Sequence, residues 1–124
     1  MRDILVGCMG LGGTWAADET RDADQVNEAE ALLHAAMDAG LHRFDHADIY
    51  KHGRSESVFG DALARSTYTR DDVWLQTKCG IRFADGHGPK RYDWSSDWIV
   101  QSVEGSLRRL RTDYVDTLLL HRPD

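Results

Sequence analysis

Four short apolar runs, three of them followed directly by polar chemistry, constrain the fold of this chain more than any other feature. They are Ile4-Leu5-Val6, Leu41-His42-Arg43-Phe44, Val73-Trp74-Leu75-Gln76-Thr77 and Tyr114-Val115-Asp116-Thr117-Leu118-Leu119-Leu120. Segments with helical spacing of apolar residues lie between them, so the order reads strand, helix, strand, helix, strand, helix, strand. That alternation predicts a parallel sheet with right-handed crossovers. In such sheets functional side chains gather at the C-terminal ends of the strands. Here those ends deliver Asp45, Lys78 and His121, with Tyr50 shortly after Asp45.

The connecting segments support this order. Asp22 or Asp24 can cap a helix that runs to about Ala39, with Val26, Ala29, Leu33, Ala36 and Met37 on one face and Gly40 as a suitable C′ residue. His34 reads as ordinary helix surface. Ser55 with Glu56 is expected to open a second helix that turns Val58, Phe59, Ala62 and Leu63 inward. Ser95 or Ser96 caps a third, with Trp98, Ile99, Val103, Leu107 and Leu110 inward. Arg108, Arg109 and Arg111 suit the C-terminal end of its dipole. The first run reads as a buried strand. The glycine-dense stretch Cys8 to Trp15 that follows is a phosphate cradle or a tight strand-to-helix connection; it lacks the lysine of a P-loop. The segment Cys79 to Asp93 reads as a long loop, a common place for function.

Bulk properties narrow the class. With 124 residues the chain can bury one core, and residues 1–124 read as one domain. A net charge of −6 argues against a nucleic-acid partner. No apolar run is long enough to span a bilayer, and the N-terminus enters a strand-like run without the apolar stretch of a signal peptide. Cys8 and Cys79 are far apart and lack metal-ligand spacing, so a reduced, cytoplasmic setting is expected.

Five passages together resemble the aldo-keto reductases, in their prokaryotic branch. They are Phe44-Asp45-His46-Ala47-Asp48-Ile49-Tyr50; Gly53-Arg54-Ser55-Glu56 with Phe59-Gly60; Thr77-Lys78-Cys79-Gly80; Ser102 to Asp116; and Leu120-His121-Arg122-Pro123-Asp124. The resemblance implies a TIM-type (β/α)8 barrel, here an α/β partial barrel of about four strands and three helices. It implies NADPH as cofactor and reversible reduction of aldehydes or ketones, small carbonyl substrates, to alcohols. It places the catalytic tetrad on Asp45, Tyr50, Lys78 and His121. Tyr50 would give a proton to the carbonyl oxygen, Lys78 would assist it, Asp45 would fix Lys78, and His121 would orient the substrate. Met9 and Asp45 would border the cofactor, and Trp15 with His121 the substrate.

A complete barrel of this type needs about 250 residues. The residues the family uses for most of its NADPH grip have no counterpart in this chain. A truncated member with weak or absent turnover alone is therefore expected, self-associating through exposed barrel edges. The alternatives are a non-catalytic accessory subunit and a decayed fragment. A metal-dependent hydrolase using Asp45, His46, Asp48, His87 and His121 is a further reading. Against it, Asp45 and His46 point to opposite faces of a strand.

Overall fold

The computed structural model describes residues 3–122. Its chain order is β1 (Leu5–Gly7), α1 (Ala23–Asp38), β2 (Arg43–Asp45), α2 (Arg54–Arg65), β3 (Trp74–Cys79), β4 (Ile81–Arg82), β5 (Arg91–Tyr92), α3 (Ser96–Leu110) and β6 (Thr117–Leu120). A four-stranded sheet runs β1-β2-β3-β6 with every pairing parallel. The three helices cover one of its faces. The architecture is the expected partial barrel.

Local chemistry explains the helix boundaries. Asp22 is the N-cap of α1: its carboxylate accepts from the Gln25 backbone N–H at 2.9 Å, and the Gln25 side chain accepts from the Asp22 N–H at 3.2 Å. The helix ends in paired bonds from Gly40 N–H to Met37 O and from Leu41 N–H to Ala36 O, with Gly40 at φ +77°. Ser95 caps α3. The core is formed by α1, α2 and the helix-facing strand residues: Leu33, Phe44, Val58, Phe59 and Leu75 are fully buried.

Four expectations need correction. First, β1 is not buried. Leu5 is 41% exposed, because β1 is an edge strand bonded only to β2. Second, α2 begins at Arg54 behind Gly53, which has φ +93°. The Ser55 hydroxyl does not cap it; it donates to Cys8 O and Leu11 O, tying down the first loop. Third, residues 79–93 are not all loop. They contain an antiparallel hairpin, β4 against β5, whose two-residue strands are too short to show a period in sequence. Fourth, α3 buries Ser102, Gly105, Ser106 and Leu110, while Trp98, Ile99, Val103 and Leu107 are only half-buried. Small residues win that face because α3 lies close to α2. A Cβ at Gly60 would sit 2.4 Å from the Arg109 carbonyl oxygen.

Candidate active site

Side chains alternate along β3, and that alternation builds the site. Leu75, Thr77 and Cys79 point to the helices and are buried; Gln76 and Lys78 point to the open face. Asp45, at the end of the neighbouring β2, points the same way. The Lys78 ammonium has three N–H donors and places all of them: on Asp45 Oδ2, on the His46 carbonyl and on the Tyr50 hydroxyl, each at 2.9 Å. Gln76 Nε2 holds the other Asp45 oxygen at 2.8 Å. The side chains of Lys78 and Asp45 stay 13% and 22% exposed, so the pair is sheltered but reachable.

Tyr50 begins a 3₁₀ turn over residues 50–53 in which Lys51 (φ +52°) and His52 (φ +55°) are left-handed. Such backbone persists only where the surroundings hold it. Lys51 Nζ donates to Gly13 O at 3.0 Å, His52 Nε2 lies 3.0 Å from Trp15 O, and the His52 ring stacks on Phe83 at 4.5 Å. The turn carrying Tyr50 is thus braced by the first loop and by the hairpin segment.

His121 follows β6, and its backbone N–H donates to Cys79 O at 2.7 Å. Its ring stands edge-on to Tyr50, with centroids 6.0 Å apart. Burial, then the Lys78 and Arg122 charges, lower its pKa, so the imidazole is neutral at neutral pH. Its Nδ1 is buried and has no hydrogen-bond partner among the described residues. The structure therefore brings Asp45, Tyr50, Lys78 and His121 to one face. Met9 and Trp15 are exposed on the first loop. Trp15 is joined to the turn through His52 and lies under Lys51 Nζ, 5.3 Å from the ring centre. Pro123 and Asp124 of the His121 motif lie outside the described residues.

The glycine-dense loop is not a phosphate cradle. Its backbone carbonyls turn inward to a cation: buried Arg54 donates to Gly12 O, Thr14 O and Glu19 O. Gly12, at φ +89°, leaves room, since a Cβ there would meet Arg54 backbone at 2.8 Å. Nor do the ligands of a hydrolase assemble: among the described residues no three His, Cys, Asp or Glu side chains group around a metal position. His46 faces the helices, packed on Phe59 at 4.6 Å, and burial pushes its pKa down to about 3. Cys8 and Cys79 are free, and burial raises both thiols, Cys79 to about 11.

Sequence reasoning missed Gln76, although its place two residues before Lys78 on the same face was a usable signal. It also missed the pairing of Glu56 with Arg109 at 2.8 Å. No local pattern announces a contact across 53 positions.

A model of the aldo/keto reductase family matches residues 3–124. The chain belongs to that family. It is 43% identical to the uncharacterized oxidoreductase YcsN of Bacillus subtilis (strain 168) over 118 residues, covering 92% of this chain and 39% of that protein. The glycerol dehydrogenase AKR11B4 from Gluconobacter oxydans superimposes with a TM-score of 0.79 at 30% identity, covering 97% of this chain and 35% of that one. An aldo-keto reductase from Klebsiella pneumoniae, solved in complex with NADPH, matches with a TM-score of 0.66 at 33% identity, covering 97% and 36%. The chain thus spans between a third and two fifths of the length of these three proteins. Among the described residues no helix is long and apolar enough to cross a membrane.

Proposed function

We propose that this chain carries the proton-donating and carbonyl-orienting part of an NADPH-dependent reductase site that converts aldehydes or ketones to alcohols. The observation behind this reading is the Lys78 ammonium, bonded to both Asp45 and Tyr50. Tyr50 is the general acid. Its oxygen accepts from Lys78, which leaves its own proton for a substrate carbonyl oxygen. Once the proton has gone, the phenolate rests against a positive charge held in place beforehand. Asp45, steadied by Gln76, keeps Lys78 aimed. His121 is neutral and donates an N–H to the same carbonyl oxygen as negative charge grows there. This donor set fits a carbonyl beside a nicotinamide. NADPH, when bound, supplies the hydride, and its presence in the Klebsiella relative supports the choice. Met9 and Asp45 are the proposed cofactor neighbours, and Trp15 with His121 the substrate neighbours. The exposed edges β1 and β6, with Leu118, Leu119 and Leu120 each about 40% exposed, suit self-association.

The test is a cofactor-fluorescence titration of NADPH on the purified chain and on Tyr50→Phe, with the mass in solution measured on the same samples. Weak binding is expected in both, because most of the family's NADPH grip has no counterpart in this chain. Turnover by the chain alone is expected to be weak, and what there is should fall about 10²- to 10⁴-fold in Tyr50→Phe. Absence of NADPH binding would show that the tetrad in this chain does not by itself hold the cofactor. Turnover that survives in Tyr50→Phe would overturn the role of Tyr50.

A further inference from the structure

A cavity of about 390 Å³ lies on the helix side of the Tyr50 turn, between that turn, β4 and α3. Asp48, Arg82, Trp98, Gln101, Arg108 and Arg109 border it. Two of these residues carry buried polar atoms without a hydrogen-bond partner among the described residues: Asp48 Oδ1 and Trp98 Nε1. Buried polar groups are nearly always partnered, so two orphans behind one wall call for an explanation. Both residues line the cavity.

The wall is rich in hydrogen-bond donors. Arg82 is fixed by Asp85 and Asp93, each at 2.7 Å, and its guanidinium lies over the Trp98 ring at 3.9 Å. Arg109 is held by Glu56. Arg108 is exposed and has no ion pair among the described residues, and Gln101 adds an exposed amide. Burial, with Glu56 nearby, raises the Asp48 pKa to about 7, so near neutrality that carboxyl is in good part protonated and can donate. Asp85 also borders the cavity, with its charge engaged by Arg82 and Arg91. A cation would meet three arginines here, whereas an oxygen-rich anion would meet N–H and O–H groups.

We propose that this cavity binds a small oxyanion, a phosphate- or carboxylate-bearing ligand, through Trp98 Nε1, Arg108 and Asp48. The site is separate from the tetrad and does not depend on the reductase reading. It shares the 45–53 connection with Tyr50, so its occupancy would be felt at that turn.

The test follows the Trp98 indole N–H by NMR, with the resonance assigned by its loss in Trp98→Phe. Inorganic sulfate and, in parallel, acetate are titrated at ionic strength held constant with chloride. A saturable shift is expected, weakened about tenfold by Arg108→Gln, a surface change that leaves the fold intact. Tighter sulfate binding marks a phosphate-like ligand, and tighter acetate binding a carboxylate. No saturable shift with either anion, or equal affinity in Arg108→Gln, would overturn the proposal.

Discussion

Thr77 and Lys78 are neighbours in β3, yet each anchors a carboxylate on a different side of the sheet. Thr77 Oγ1 donates to Glu56 at 2.8 Å, and Arg109 reaches the other Glu56 oxygen at 2.8 Å. Lys78 donates to Asp45, and Gln76 to the other Asp45 oxygen. The inventories match: one carboxylate, one cation and one neutral donor. The surroundings do not. Glu56 is fully buried beneath α3, while Asp45 and Lys78 open to solvent. The helix-side cluster joins α2, α3 and β3, and breaking it leaves a buried group without its partner. The open-side cluster adds the Tyr50 hydroxyl, the general acid of the proposed reaction. The same ion-pair chemistry serves the fold on one face and, in the proposed reaction, the site on the other, and the burial of the carboxylate separates the two.

Removing the buried acid of the helix-side cluster is expected to have the largest effect. Glu56→Ala leaves the buried Thr77 hydroxyl without its partner, while Arg109, 30% exposed, can turn to water. The change should destabilise by about 2–3 kcal/mol in urea unfolding. A loss below about 1 kcal/mol would mean that the buried pair holds little together.

A smaller, opposite effect is expected at Asp48, which faces Glu56. Its pKa rises from 3.8 to about 7 on folding, so the folded chain holds this proton more tightly than the unfolded chain. Its contribution is fully favourable below pH about 3.8 and is lost as pH rises to about 7. Asp48→Asn should therefore stabilise by roughly 1–3 kcal/mol at pH 8 and by almost nothing at pH 4. Melting temperatures of both proteins across that range check it. His46 works in the other direction: its pKa falls from 6.5 to about 3, so stability that depends on the neutral ring is lost as pH drops through that interval.

The least stability should be lost on the open face. Lys78→Met leaves Asp45 its Gln76 bond and its contact with water, and should cost about 1 kcal/mol. Any NADPH-dependent reduction should vanish with it. An unfolding curve as damaged as that of Glu56→Ala would erase the distinction between the clusters.

The difference in burial also explains what the sequence could reveal. Asp45, Lys78 and His121 were legible because they fall at strand ends, where the sheet topology brings them together, whereas Tyr50, on a turn braced by two loops, was carried by the family resemblance and Gln76 was missed. The strand order, the Asp22 cap and the Gly40 stop were legible for local reasons: period, capping chemistry and a positive φ. The helix-side cluster was not, since Arg109 reads equally well as a cation at a helix C-terminus until α2 and α3 are seen in contact. The inward face of α3 was misjudged for the same cause. Apolar spacing pointed to Val103 and Leu107, but contact at Gly60 favours Ser102, Gly105 and Ser106. The role of Arg54 depends on carbonyl directions in a loop, which residue types do not encode.

The alternation along β3 also bears on how such a chain can vary over evolutionary time. The connections on either side of this strand can lengthen or shorten at little cost, because they cross the surface. A single residue inserted or deleted between Trp74 and Lys78 cannot be absorbed in that way. It would carry the lysine to the helices and the threonine to the open side, and both carboxylates would lose their partners at once. Innovation is therefore channelled into the loops, and the strand keeps its count.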